Sequence, residues 1–154
     1  DRGLLEKILP DFDRETEGFF RWTVTYSRPE LEEIMKTKSG VDVGALRALV
    51  PLRRGPSGRI SSLRIVGSRR IVTVGKELEI RRWLSPTHLY SSAFVVVAED
   101  GACGLPETFT LRGAGWGHGV GLCQIGAAVM ADKGFSSEEI LRHYFRGVHL
   151  EQAY

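Results

Sequence analysis

The sequence predicts an α+β fold, and three observations carry that expectation. Strand-like and helix-like segments are mixed without the regular βαβ rhythm of a parallel sheet. Two short β-branched runs flank Gly67-Ser68, the mark of an antiparallel hairpin. Near the C-terminus a glycine run leads into two consecutive helix-like segments, the second opened by a Ser/Glu capping pair. With 154 residues, 42% hydrophobic and 26% charged, the chain reads as one domain, residues 1–154, large enough for a real core.

Leu4, Leu5, Ile8 and Leu9 have helical spacing, and Pro10 would end that turn. Phe20, Trp22, Val24 and Tyr26 alternate with polar residues, as in a half-buried strand. Ser27 with Glu30 predicts a capped helix with Leu31, Ile34 and Met35 inward, stopped at Gly40. Asp42 is expected to cap a second short helix, with Ala45, Leu46, Leu49 and Val50 inward and Pro51 as terminator. Arg53 to Gly58 reads as a solvated basic turn. The hairpin pairs Ser62–Val66 with Arg69–Val74, through a type II′ turn at Gly67-Ser68. A short helix follows from Gly75 to Leu84 and breaks at Ser85-Pro86. Ser92–Ala98 is expected as a buried strand, turned at Asp100-Gly101 and paired with Thr108–Arg112. A helix from Gln124 to Lys133 ends at Gly134. Ser136 with Glu139 opens the last helix, with Ile140, Leu141, Tyr144 and Phe145 on one side and Gly147 as its stop.

A formal charge of +2, with no long basic block, gives no argument for nucleic acid as a partner. Apolar runs such as Ala93–Ala98 are too short to cross a membrane. The opening at Asp1 already reads as mid-domain sequence, which predicts a fragment or a processed product.

Chemistry points to Arg112–Ala128, where glycine occupies every odd position from Gly113 to Gly121. Repeated glycine needs either a close approach of backbone or ligand, or dihedrals that a side chain forbids. If the run is extended, Ala114, Trp116, His118 and Val120 share one face. His118 is either a functional imidazole or a core histidine that braces the turn. Trp116 is either a core residue or a ring that stacks on a sugar. Gln124 opens the next helix with a group that both donates and accepts. No asparagine is present to orient a Cys123–His118 pair as a nucleophile, and His118, Cys123, His143 and His149 have no diagnostic metal-ligand spacing. No metal and no cofactor are expected. The run also lacks the features of a P-loop or a dinucleotide fingerprint.

Taken together, Gly115-Trp116-Gly117-His118-Gly119-Val120-Gly121, Gln124, Gly126-Ala127, Met130-Ala131, Gly134, Ile140-Leu141, Tyr144 and Gly147 resemble the C-terminal signature of the SpoIID/LytB family. That is the family of stage II sporulation protein D and the amidase enhancer. Its usual pattern is Gly-His-Gly-Val-Gly-Met-Ser-Gln-x-Gly-Ala, then Met-Ala, Gly and Ile-Leu-x-x-Tyr-Tyr-x-Gly. Ser91-Ser92-Ala93-Phe94 is similar to its Arg-Ser-Thr-x-Phe segment. The stretch from Gly58 and the helix after Gly75 are similar to its Gly-Arg-x-x-x-Leu and Gly-x-x-Ile-Arg segments. Leu122-Cys123 for Met-Ser and Phe145 for the second tyrosine are departures.

The resemblance implies action on bacterial peptidoglycan, by a lytic transglycosylase in which one carboxyl serves as acid and then as base. The family's acid is a glutamate in Glu-Met-Pro. That motif is absent here, and Glu33-Ile34-Met35 and Leu105-Pro106-Glu107 do not match it. The catalytic residue is therefore assigned to no position. The chain is expected to be the C-terminal portion of a longer protein, with His118 and Gln124 supporting catalysis. Trp116, His118, Gly117, Gly119, Gln124, Ser92 and Tyr144 are expected to bind substrate. The alternative is a non-catalytic peptidoglycan-binding module that positions or enhances a cell-wall amidase. Partners would be glycan strands, and an amidase or the N-terminal half of the same protein. The place would be the cell envelope, after export. No disulfide is expected between Cys103 and Cys123, so thiol titration of the unfolded, unreduced chain should find both thiols; a blocked pair would overturn this.

Overall fold

A computed structural model describes residues 20–101 and 104–151. The helix expected at Leu4–Leu9, its stop at Pro10, and Cys103 lie outside the described residues. The fold is α+β, as expected. The described chain falls into two compact units, one running to His118 and the other starting at Gly119.

The first unit holds two antiparallel three-stranded sheets. In the first sheet β6 (Pro106–Ala114) lies between β1 (Arg21–Ser27) and β5 (Phe94–Asp100). In the second, β3 (Ile60–Gly67) lies between β2 (Leu46–Arg54) and β4 (Ile71–Gly75). Helices α1 (Arg28–Ser39) and α2 (Glu77–Trp83) complete the unit. Their inward side chains and both sheets share one core that includes Tyr26, Leu31, Met35, Ile65, Ile80 and Phe109.

Helix α1 forms where its sequence starts and stops it. The Ser27 hydroxyl accepts the Glu30 N–H, and Gly40 ends the helix at φ 72°, donating its N–H to Lys36 O. Leu31 and Met35 are buried along one side.

The helix expected after Asp42 is a strand instead. Asp42 accepts the Gly44 N–H at 2.8 Å and pairs with Arg69 at 2.5 Å. Both contacts hold its carboxyl below the usual range, the Gly44 bond first. Leu46 and Leu49, both buried, are three residues apart because the register shifts between Leu46 and Ala48. A bulge thus imitates helical spacing. Val50 points outward and is exposed, and Pro51 is tolerated because β2 is an edge strand.

The β3–β4 hairpin is present, but its turn sits one residue later than expected. Gly67 N–H bonds to Arg70 O, which leaves Ser68-Arg69 as the central pair. Gly67 does not adopt the positive φ of a type II′ turn. It is glycine because a Cβ there would run into the Val43 carbonyl.

Strand β5 is not buried as a whole. Phe94 faces the core, while Val95 and Val97 lie on the solvent face of an edge strand. An antiparallel sheet can leave one face wet, and this one does.

The glycine run is not an extended strand. Strand β6 stops at Ala114, and Gly115, Gly117 and Gly119 take φ of 71°, 82° and 63°. Side chains other than glycine rarely adopt these dihedrals, so the run is a succession of turns. Gly113 has a different reason. On β6 it pairs with Trp22 on one side and Phe94 on the other, and a Cβ there would lie inside the Trp22 ring.

The second unit contains α3 (Gln124–Asp132) and α4 (Ser137–Tyr144), which pack on each other. Gly134 follows α3 at φ 90°. The Ser136/Glu139 capping box is complete, and the Ser136 backbone N–H and hydroxyl hold the Glu139 carboxyl below its ordinary range.

Gly113→Ala should destabilise the chain by about 1–3 kcal/mol, because a methyl must displace the indole. Denaturant unfolding measures this; a loss under about 0.5 kcal/mol would show that ring and strand do not touch.

Candidate functional site

The segment from Ala114 to Gly117 is held almost entirely through its backbone. Ala114 N–H donates to Ala93 O at 2.9 Å, and Ala114 O accepts the Ser91 hydroxyl at 2.8 Å. Gly115 N–H donates to Phe20 O at 2.9 Å, and Gly115 O accepts the Trp22 indole N–H at 3.2 Å. Gly117 N–H donates to Tyr90 O at 2.8 Å, and Gly117 O accepts Arg59 Nε at 2.9 Å. Six bonds thus fix four residues, and every partner lies on a different stretch of the unit from the segment itself.

Each of those partners is positioned in turn. Arg81 Nε donates to Leu89 O at 2.6 Å and pairs with Glu77, which fastens the loop that delivers Tyr90 to the end of α2. Ser91 is fully buried and also accepts the Ala93 N–H. Ser92 is fully buried, and its hydroxyl donates to Ile60 O at 3.1 Å while Ile60 N–H returns to Ser92 O. That exchange ties the start of β3 to the first sheet. Arg54 Nη2, on Phe94 O at 2.7 Å, adds a second tie.

The product of this bracing is an aromatic platform. Trp116 is 56% exposed and stands edge-on to Tyr90, with ring centroids 5.8 Å apart at 83°. Tyr90 packs on Trp22 at 5.9 Å, and Trp22 on Phe94 at 6.2 Å. The row begins in the core and ends in solvent. His118, also exposed, follows one residue after Gly117.

The second unit places the remaining candidates. Gln124 is the exposed first residue of α3. Cys123 is a free, exposed thiol whose Sγ accepts the Gly126 N–H at 3.4 Å, so it is the N-cap of that helix. The serine that the family pattern carries at this place would make the same bond, and more strongly. Tyr144 is half-buried, and its hydroxyl lies where a Cβ of residue 126 would be, which accounts for Gly126. Burial first, and then the neighbouring Cys123, push the Tyr144 phenol up from its ordinary pKa. Its ring meets His143 edge-on at 4.9 Å. Among the described residues, no three His, Cys, Asp or Glu side chains are grouped to hold a metal ion.

The structure therefore brings Trp116, Gly117 and the buried Ser92 into one braced region with His118, and sets Gly119, Gln124 and Tyr144 in the other unit. Ser92 works as an internal clamp with no exposed surface. Arg59, Tyr90 and Trp22 were missed as contributors. The signal for Arg59 was its place in the Gly-Arg-x-x-x-Leu segment. Nothing in local sequence connects it to a glycine 58 residues away.

Some of the residues that carry the resemblance, Arg59, Ser91 and Ala93, also clamp this segment. A family model described as a domain of unknown function (DUF8618) matches residues 1–121. The chain belongs to this family, and its curated homologues are SpoIID/LytB proteins. Stage II sporulation protein D of Bacillus amyloliquefaciens is 29% identical over 97% of the chain. The amidase enhancer of Bacillus subtilis (strain 168) is 35% identical over 47% of it, and stage II sporulation protein D of the same strain 38% over 30%. The chain spans 38%, 9% and 14% of the lengths of these three relatives.

His118→Ala should change stability by less than about 0.5 kcal/mol, as exposed substitutions usually do. Gly117→Ala should cost roughly 1–2 kcal/mol, since φ of 82° is strained for any side chain although no atom stands in the way. Thermal melts of the two variants decide this, and the reverse ranking would make His118 the structural residue.

Proposed function

We propose that this chain is the glycan-binding, C-terminal part of a longer SpoIID-like protein that acts on peptidoglycan. The observation that carries this reading is the exposed Trp116 ring, set edge-on to Tyr90 above a backbone fixed by six hydrogen bonds. A sugar ring offers an apolar face to such a platform and hydroxyl edges to polar groups beside it. A platform held rigid before binding loses little entropy on meeting its ligand. In this reading His118 bonds the sugar's hydroxyls or the acetamido groups, and the backbone of Gly117 leaves room for the strand.

The reaction of the whole protein is then lytic transglycosylation. One carboxyl protonates the leaving glycosidic oxygen, and as carboxylate it takes the proton from the sugar hydroxyl that closes the anhydro ring. That carboxyl lies outside this chain, which has no Glu-Met-Pro. The relative named amidase enhancer supports a second reading, in which the chain binds wall glycan and positions a cell-wall amidase without cleaving anything itself. Either role places the protein in the cell envelope.

Both readings require glycan binding by the 154-residue chain. Trp116→Ala should weaken a glycan pull-down by about 5–30-fold, the usual effect of removing an aromatic anchor, and His118→Ala should weaken it too. Neither should alter the melt greatly. Binding that survives both substitutions would remove the platform from the site. The chain alone should release no anhydro-disaccharide from denuded strands. If it does, the acid is in the chain and Glu107 is the first residue to replace.

A further inference from the structure

The formal charge of +2 conceals a division of the chain. Between Val43 and Gly75 there are seven arginines and no Lys, Asp or Glu; this stretch carries +7 and the remainder −5. The stretch is the second sheet, so the charge that is scattered in sequence is gathered on one structure.

Four of the seven arginines are occupied. Arg54 and Arg59 hold backbone carbonyls, Arg53 bonds Ser61, and Arg69 pairs with Asp42. Arg47, Arg64 and Arg70 are exposed and make no hydrogen bond or ion pair among the described residues. Arg64 lies at the centre, on the middle strand, between Val50 and Thr73 in register. One register step away Ala48, Val66 and Ile71 pair across the same outer face. Ile71 is 66% exposed, Val50 39% and Leu52 43%. The face thus mixes the guanidinium groups of Arg47 and Arg64 with protruding aliphatic side chains, while Arg70, paired with the inward Gly67, belongs to the other side of the hairpin end. The stretch contains no Phe, Tyr or Trp.

Uncompensated like charge on a small sheet costs stability through self-repulsion unless a partner neutralises it. The residue types point to what that partner is. Arginine meets carboxylate or phosphate with a two-pronged hydrogen bond, and the apolar side chains around it decide between the two. Single-stranded nucleic acid would need aromatic rings to stack on, and this face has none. Aliphatic side chains between the arginines suit a surface with an apolar layer just beneath its phosphates.

We propose that the outer face of the β2–β3–β4 sheet docks on the phosphates of an anionic lipid bilayer. Arg47 and Arg64 supply the charge contacts, and Ile71 with its aliphatic neighbours reaches the headgroup boundary. Such docking is peripheral and needs no spanning segment; among the described residues no helix is long and apolar enough to cross a membrane. It holds the neutral glycan platform of the first sheet and the basic face as separate functions of one unit.

The test is flotation of the 154-residue chain with vesicles of phosphatidylglycerol and phosphatidylcholine in equal parts, against phosphatidylcholine alone. The chain should float with the anionic vesicles only, and 0.5 M salt should release it. The double variant R47Q/R64Q should lose roughly tenfold or more in partitioning, at about one basic contact's worth per arginine. The double lysine variant R47K/R64K keeps the charge but loses the two-pronged bond, so it should float less well than the parent and better than the glutamine variant, which separates lost charge from lost folding. Ile71→Asp should weaken binding without removing the salt dependence. Failure of the parent to float, flotation of the glutamine variant at parental level, or retention on a soluble phosphate polymer with no vesicle binding would each overturn the proposal. None of these outcomes touches glycan binding, which is read on wall glycan with Trp116→Ala.

Discussion

The structure of the first unit turns on one contact, the Trp22 indole lying over the bare backbone of Gly113. In the register of the first sheet Gly113 sits between Trp22 and Phe94, so the missing side chain on the middle strand is what lets the two flanking rings come within 6.2 Å. The same indole donates its N–H to Gly115 O, just past the end of the strand. A single buried ring therefore sets where β6 ends, supports Tyr90, and fixes the first turn of the glycine run. A buried indole needs a partner for its N–H, and here that partner is the segment which carries Trp116 into solvent.

Glycine serves three separate purposes in this chain. At Gly113 and Gly67 it admits a neighbour too close for a methyl group. At Gly115 and Gly117 it supplies positive φ, with the surrounding space open or nearly so. At Gly126 it makes room for the Tyr144 hydroxyl beside Cys123 in the second unit. One residue type, repeated in sequence, is thus produced by steric exclusion in some places and by backbone dihedral in others.

This is why the sequence was readable in part. The helix after Ser27, the β3–β4 pairing, the β5–β6 pairing and the capping box at Ser136 all follow from local signals, and all are present. The strand at Leu46 was read as a helix because a bulge gives buried residues at i and i+3, and local spacing cannot distinguish the two. The hairpin turn was misplaced because Gly67 answers to Val43, which is distant in sequence. Within the site, Trp116 and His118 stood out because glycines surround them. Tyr90 and Arg59 did not, because their roles exist only once the Arg81–Leu89 and Arg59–Gly117 bonds have closed. The charge was missed for a related reason. Seven arginines spread over two strands and the turns beside them form no block in sequence, and only the sheet collects them.

Half of the six bonds that hold the segment carrying Trp116 run to main-chain carbonyls, which any residue supplies. Ala93 and Phe20 supply a carbonyl each, and Tyr90 supplies a carbonyl and also its ring. The reaching is left to a few side chains, Arg59, Arg81, Ser91, Ser92 and Trp22, and the bending or yielding to glycines. The ring at position 116 stands edge-on to Tyr90 and projects from the braced segment into solvent, where a ligand can meet it without disturbing the six bonds beneath.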